Sequence, residues 1–353
     1  MKRTTFAILA ACAAVLALIV VMVGAYVRLS NAGLGCPDWP GCYGRAAAPA
    51  TPEAVAQANA SYPNRPVEPA KARKEMAHRY LASTLGLAIV VLAGIAWRYR
   101  RRTGLPVGVP TLLVALVIFQ GLLGMWTVTL LVKPAIVTAH LAGGMATLAL
   151  LWWLVLRLRG LCSAPLNPAL MRLRPWAWVA LVLVCAQILL GGWTSTNYAA
   201  VACTEFPTCY GGLWWPPTNF GEAFTIWRGL GVNYAFGVLD SAARTAIHLT
   251  HRAAALAVFL YVGTLAVLVL RRARHLQHFR VGFVLAGTLL LQVGFGIANV
   301  LGHLPLPVAV AHSGGAALLL LAVVTLIHAL SPPLGARSLA MEPAAASAVR
   351  YSS

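Results

Sequence analysis

Four histidines, His78, His140, His251 and His312, recur at matched positions in the two halves of a 353-residue chain. His78-Arg79 (AHRYLAS) has its counterpart in His251-Arg252 (THRAAAL), and His140 (AHLAGGMATLAL) in His312 (AHSGGAALLLLA). Gln120 precedes His140 by 20 residues, and Gln292 precedes His312 by the same 20. Neutral imidazole is the commonest side-chain metal ligand, so two such rings brought face to face can hold one metal between them. Glu75 stands three residues before His78 (EMAHR), and His248 three before His251 (HLTHR). On a helix, i and i+3 share a face, so each looks toward the site its neighbour lines. A carboxylate there can accept a proton or stabilise a cation that develops during an oxidation. The plainer alternatives for Glu75 are a helix cap or an ion pair with Arg79 or Lys71. The half with His248 in that place reads as an electron-transfer site, with Asp240 upstream as partial compensation.

Residues 36–44 (CPDWPGCYG) and 203–211 (CTEFPTCYG) spell one phrase twice, 167 residues apart. Cys36 with Cys42 and Cys203 with Cys209 are the candidate disulfides. Three readings stay open for them: a structural clip, a redox-active pair, or a metal site, the last weakened because no His accompanies either pair in its loop. Cys12, Cys162 and Cys185 lie in or near apolar segments and read as buried thiols.

The elements that must position these residues are long and apolar. The chain is 60% hydrophobic and 10% charged, and about 20 apolar residues suffice to span a bilayer as a helix. Eight such runs occur, at 6–28, 79–97, 108–131, 138–156, 176–195, 246–270, 281–301 and 308–329. The first is too long for a cleaved signal peptide and reads as a retained helix. A net charge of +19 invites a nucleic-acid partner, but the basic residues fall on alternate connections. Lys2 and Arg3, Arg98 to Arg102, Arg157 to Arg174, and Arg271 to Arg280 therefore lie on one side, which the positive-inside rule makes cytoplasmic. Both termini are then cytoplasmic, and the cysteine loops face outward, where disulfides persist.

Four spans per repeat return the second unit to the membrane in the same orientation. The expected fold is all-α: eight transmembrane helices as two tandem four-helix bundles related by a pseudo-twofold axis along the membrane normal. Residues 1–160 form the first bundle, 161–175 a cytoplasmic connector, 176–330 the second bundle, and 331–353 a flexible cytoplasmic tail. The Ala/Pro-rich stretch 45–70 reads as loosely ordered. All four repeated histidines fall near one depth, at the outer ends of the second, fourth, sixth and eighth spans. Two imidazoles per bundle suit the two axial positions of a haem iron, whereas zinc or copper would want further ligands at that depth. Gly143-Gly144 and Gly314-Gly315 either leave room for a flat ring or serve close helix packing. Arg79 and Arg252 either contact haem propionates or snorkel to the interface. His275, His278, His303 and His328 are weaker candidates.

Over nearly its whole length the sequence resembles the haem A synthase family of cytochrome oxidase assembly proteins. The resemblance is carried by VRLSNAGLGCPDWPGCYG, EMAHR, AHLAGG, THR and AHSGG in that order. It implies oxidation of the C8 methyl of haem O to a formyl group by successive hydroxylations, the formyl oxygen coming from water. It implies a substrate haem at His78 and His140, a haem b cofactor between His251 and His312, and a required carboxylate at Glu75. It also links Cys36–Cys42 to the redox step and leaves Cys203–Cys209 mainly structural. Repeat register favours His251 over His248 as ligand. The implied setting is a bacterial cytoplasmic membrane, with haem O synthase and oxidase assembly factors as partners and an electron acceptor outside the chain. Two other classes compete. A di-haem b electron carrier would do no haem chemistry, and a transporter would place its polar groups at the bilayer midplane, where this chain has few.

Overall fold

The structure is a computed structural model and describes residues 2–162 and 164–331. The expected tail, beyond Ser331, lies outside the described residues. Eleven helices are described: α1 (Arg3–Leu29), α2 (Pro52–Ser61), α3 (Pro69–Thr103), α4 (Gly108–Thr129), α5 (Pro134–Arg159), α6 (Pro168–Met171), α7 (Arg174–Thr196), α8 (Phe220–Ala223), α9 (Ser241–Arg272), α10 (Leu276–Leu301) and α11 (Leu306–Ala329). Eight of them, all but α2, α6 and α8, are long and apolar enough to cross a membrane. The chain is an all-α, multi-pass membrane protein.

Local chemistry sets the helix ends. Proline occupies the first turn of α3, α5, α7 and α11, where its missing N–H costs nothing. Asp240 caps α9 by accepting from Ala243 N at 2.7 Å, so it serves the helix rather than a site. Gly104 and Gly160 end α3 and α5 in the left-handed conformation, at φ 62° and 59°. Arginines in the last turns of α3, α5 and α9 suit the negative end of the helix dipole.

Helix α3 begins ten residues before its apolar run, and α9 five before its own. Polar first turns leave no hydropathy signal, but that of α3 leads into Glu75 on the same rigid rod as His78, while His248 lies within the apolar run of α9. Residues 45–70 are also more ordered than expected. Thr51 accepts from Ala54 N at 3.2 Å to start α2, and Ala58 and Tyr62 pack with Tyr43 against the first disulfide.

Helices α1, α3, α4 and α5 contact one another in a ring, and so do α7, α9, α10 and α11. The two sets meet through α1 on α11, α5 on α7 and α5 on α11. Alanines 7, 10, 13, 14 and 17 form much of the buried face of α1, because small residues let helices approach closely where no water drives them together. Leu87, Val182 and Leu256 are exposed on the opposite faces, as a lipid-facing surface requires. Among the hydrogen bonds that join the halves at the cysteine-loop end, Arg28 Nη2 donates to Ser195 O at 2.7 Å, and Tyr198 Oη to Asn31 Oδ1 at 3.0 Å. Each joins residues 167 apart, the offset of the repeated cysteine phrase. The second long loop also crosses onto the first half. Tyr234 N donates to Leu131 O at 3.2 Å. Lys133, only 1% exposed, donates to Arg228 O at 2.6 Å and lies 3.5 Å from the Trp227 ring centre.

Candidate paired-histidine sites

His78 on α3 and His140 on α5 face each other, with ring centres 6.5 Å apart and planes at 84°. A glycine of the preceding helix seats each ring. A Cβ at Gly24 of α1 would stand 2.9 Å from His78 Cε1, and one at Gly124 of α4 would stand 3.6 Å from His140 Cε1. The second half repeats the device: a Cβ at Gly191 of α7 would stand 3.3 Å from His251 Cε1, and one at Gly296 of α10 would stand 3.2 Å from His312 Cε1. His251 and His312 are electrostatic neighbours. Gly143 and Gly315 make room for the amides of Gln120 and Gln292, which a Cβ would overlap, while Gly144 and Gly314 receive Val21 and Met22 of α1. Their space therefore goes to side-chain and helix packing. An apolar cavity of about 180 Å³, lined by Leu18, Met22, Leu291, Phe295, Gly314 and Gly315 among others, lies between α1, α10 and α11.

The residues three before His78 and His251 do one structural job with different chemistry. Glu75 is 4% exposed, accepts from Cys36 N at 2.9 Å and forms an ion pair with Arg79. His248, also 4% exposed, accepts from Cys203 N at 3.1 Å, with Arg252 Nε 3.3 Å from its other ring nitrogen. Each therefore ties a cysteine loop to the helix of a repeated histidine. Arg79 turns its remaining donors onto Asp38 O, Pro40 O and Gly41 O, and Arg252 onto Cys203 O, Glu205 O and Thr208 O. These two guanidiniums are engaged by loop carbonyls. Lys71 pairs with Glu68, not Glu75.

Cys36 is bonded to Cys42 and Cys203 to Cys209, and each loop is closed by a carboxylate. Asp38 accepts from the Tyr43 and Gly44 amides, both at 2.7 Å. Glu205 accepts from the Gly211 and Gly212 amides and from Thr208 Oγ1. The Gly212 amide foremost, then the Thr208 hydroxyl, holds Glu205 below the usual carboxylate range. Burial pushes the Tyr43 phenol up. Contrary to expectation, Cys12 and Cys185 are exposed, not buried.

Residues 7–324 match the family COX15-CtaA, described as cytochrome oxidase assembly protein. The chain belongs to that family. A protein of Shewanella oneidensis named Heme A synthase is 44% identical over 313 residues, covering 88% of this chain and 92% of its own. Proteins of the same name from Caulobacter vibrioides and Halalkalibacterium halodurans are 28% identical over 328 residues and 31% identical over 206. The first covers 85% of this chain and 88% of its own length, the second 56% and 61%.

The paired histidines of this COX15-CtaA chain fit a bis-imidazole metal group. Imidazole nitrogens about 2 Å from a shared metal would put ring centres roughly 6 Å apart, close to the separation in the first half. The Nδ1 atoms of His78, His140 and His312 are buried without a hydrogen-bond partner among the described residues, a cost that a bound group or a small rotation would remove. The other histidines stand elsewhere. His303 lies in the exposed turn after α10 at φ 54°. His275 and His278 pair edge to face at the start of α10, and His328 packs on Trp153. Two features escaped the sequence reading. The seating glycines were visible only as repeated letters, and Gln187, which contacts His251, has no counterpart in the other half.

Proposed function

We propose that the chain is a haem A synthase, which oxidises the C8 methyl of haem O to a formyl group in the membrane for cytochrome oxidase biogenesis. The observation that carries this reading is an asymmetry within a repeat: paired imidazoles in both halves, but a buried carboxylate, Glu75, in the first alone. The identity to the Shewanella oneidensis protein over most of both chains supports it. In this reading His78 and His140 hold substrate haem O, and Gly24 and Gly124 let the rings sit flush against α1 and α4. His251 and His312 hold haem b, whose chemistry is reversible one-electron transfer.

Glu75 is the catalytic base. Its carboxylate is held between Arg79 and the Cys36 amide, one helical turn from His78. From there it can take up the protons that leave as methyl becomes formyl, and the Arg79 guanidinium stabilises the ionised form that does so. Electrons leave to an acceptor outside this chain. Cys36–Cys42 abuts the same carboxylate through the Cys36 amide, so its redox state would be felt at Glu75. We place Cys203–Cys209 in a structural role, and the propionates within reach of Arg79 and Arg252 only if loop carbonyls give up their hydrogen bonds.

The repeat supports two bundles about a pseudo-twofold axis along the membrane normal. Residues touch their own counterparts, as at 28/195 and 31/198, where such an axis passes. The basic connections support cytoplasmic termini and outward cysteine loops in a bacterial cytoplasmic membrane. Haem O synthase and oxidase assembly factors are the expected partners.

One observation favours a second reading, a di-haem b electron carrier: Glu75 already has a structural task at the Cys36 amide. Expression in a membrane that makes haem O, followed by pigment extraction, separates the two. Hydroxylated and formylated haem, lost on Glu75→Ala with haem retained, supports the enzyme. Haem b alone from the native chain contradicts it.

A further inference from the structure

The ligand helices α3 and α9 offer equivalent rings, but only one of these rings is held. Gln187 of α7 places its Nε2 3.1 Å from His251 Nδ1 and 3.4 Å from Nε2, and donates to the backbone oxygen of His251 at 3.1 Å. It stands one turn before Gly191, the seat of that ring. At the 167-residue offset the first half has Val20, which carries no polar side-chain atom, and His78 Nδ1 is buried without a partner. The second ring of each pair does not share this contrast: Gln292 Nε2 lies 3.4 Å from His312 Nε2, but the Nδ1 atoms of His140 and His312 alike lack partners.

An imidazole that binds metal through one nitrogen carries a proton on the other, and an acceptor for that proton fixes ring orientation and raises ligand basicity. Gln187 can be that acceptor. Its Oε1 is buried without a partner, and a half-turn of the amide turns it toward His251 Nδ1 in exchange for the Nε2 bond to the His251 backbone oxygen. A cofactor site must keep its haem through every turnover, and a substrate site must release it.

We propose that Gln187 is a positioning residue that clamps His251 and makes the second-half haem resident, while Val20 leaves His78 unclamped and the first-half haem exchangeable. The inference rests on the haem A synthase reading and assigns the difference between its two sites to one position of the repeat.

The test uses the full-length, haem-loaded protein with Gln187→Val, Gln187→Glu and the reciprocal Val20→Gln. Haem transfer to excess apomyoglobin is followed for each half, together with the midpoint potential and low-spin signature of the second-half haem. Gln187→Val should speed release from the second half roughly 10- to 100-fold and raise its potential, because a less basic ligand favours oxidised iron less. Gln187→Glu keeps an acceptor and should hold release slow with a lowered potential. Val20→Gln should slow release from the first half. Unchanged release and potential in all three variants would overturn the clamp while leaving the enzyme reading intact. A native chain whose second half binds no haem would overturn that reading as well, before any variant is made.

Discussion

Glu75 is where structure and chemistry compete for one side chain. Glu75→Ala removes the acceptor for the Cys36 amide and leaves the half-buried Arg79 without its charge partner. Breaking a buried ion pair from one side costs about 3–5 kcal/mol, so thermal unfolding in detergent should show a clear loss for Glu75→Ala and for Arg79→Ala. Glu75→Gln keeps an acceptor at the Cys36 amide and removes only the charge. Its disulfide loop should resist reductant as the native loop does, while product formation falls by roughly 10²-fold or more, the usual scale for a lost general base. Equal stability loss in Gln and Ala variants, with activity tracking stability, would reduce Glu75 to a clip. The histidine positions were legible from letters alone, because the repeat marked them twice, and Glu75 was legible from its place one helical turn before a marked histidine. Gln187 was not, since a residue present in only one half leaves no such mark.

At the scale of elements, each imidazole sits against a glycine of a neighbouring helix, most tightly His78 against Gly24. Gly24→Ala would put a methyl 2.9 Å from His78 Cε1, and the measurable consequence is reduced haem content in the first half with the second half unchanged. Gly86→Ala on α3 meets nothing within 4 Å. It should leave haem content alone and stabilise slightly, by about 0.5–1 kcal/mol, as Gly to Ala does inside a helix. The second cysteine loop carries a pH dependence of known sign. Glu205 has its carboxyl held low by the Gly212 amide and Thr208, so its loop contacts are intact at and above the usual carboxylate range and are lost as pH falls through the lowered folded value. Protection of the Gly211 and Gly212 amides, taken as exchange relative to the intrinsic rate at each pH, should fall there and hold steady above it. Hydropathy revealed all eight spanning helices but misplaced the starts of α3 and α9, whose first turns are polar. It also hid α2, although Thr51-Pro52-Glu53 carried the cap and first-turn signals of a helix.

Across the whole molecule, the repeat supplies two paired-histidine sites, and the proposed function gives them different work. Contacts between the halves could not be read from either half alone. The second long loop reaches over the first bundle through Tyr234, Arg228 and the buried Lys133, and nothing in the spacing of those residues announced it. The sidedness proposed from the charge distribution predicts that a cysteine introduced at the exposed Gln57 of α2 reacts with a membrane-impermeant maleimide in intact spheroplasts. One at Arg101 should react only after permeabilisation, and the reverse pattern would invert the topology. The central claim is one haem per half, each held by that half's own pair of imidazoles. The most direct measurement is haem content per polypeptide, resolved into haem b and haem O-derived pigment, for His78→Ala and His251→Ala beside the native chain. The account predicts that His78→Ala loses only the haem O-derived pigment and His251→Ala only haem b. Equal loss of both pigments from either variant, or a native chain without tetrapyrrole, would contradict it.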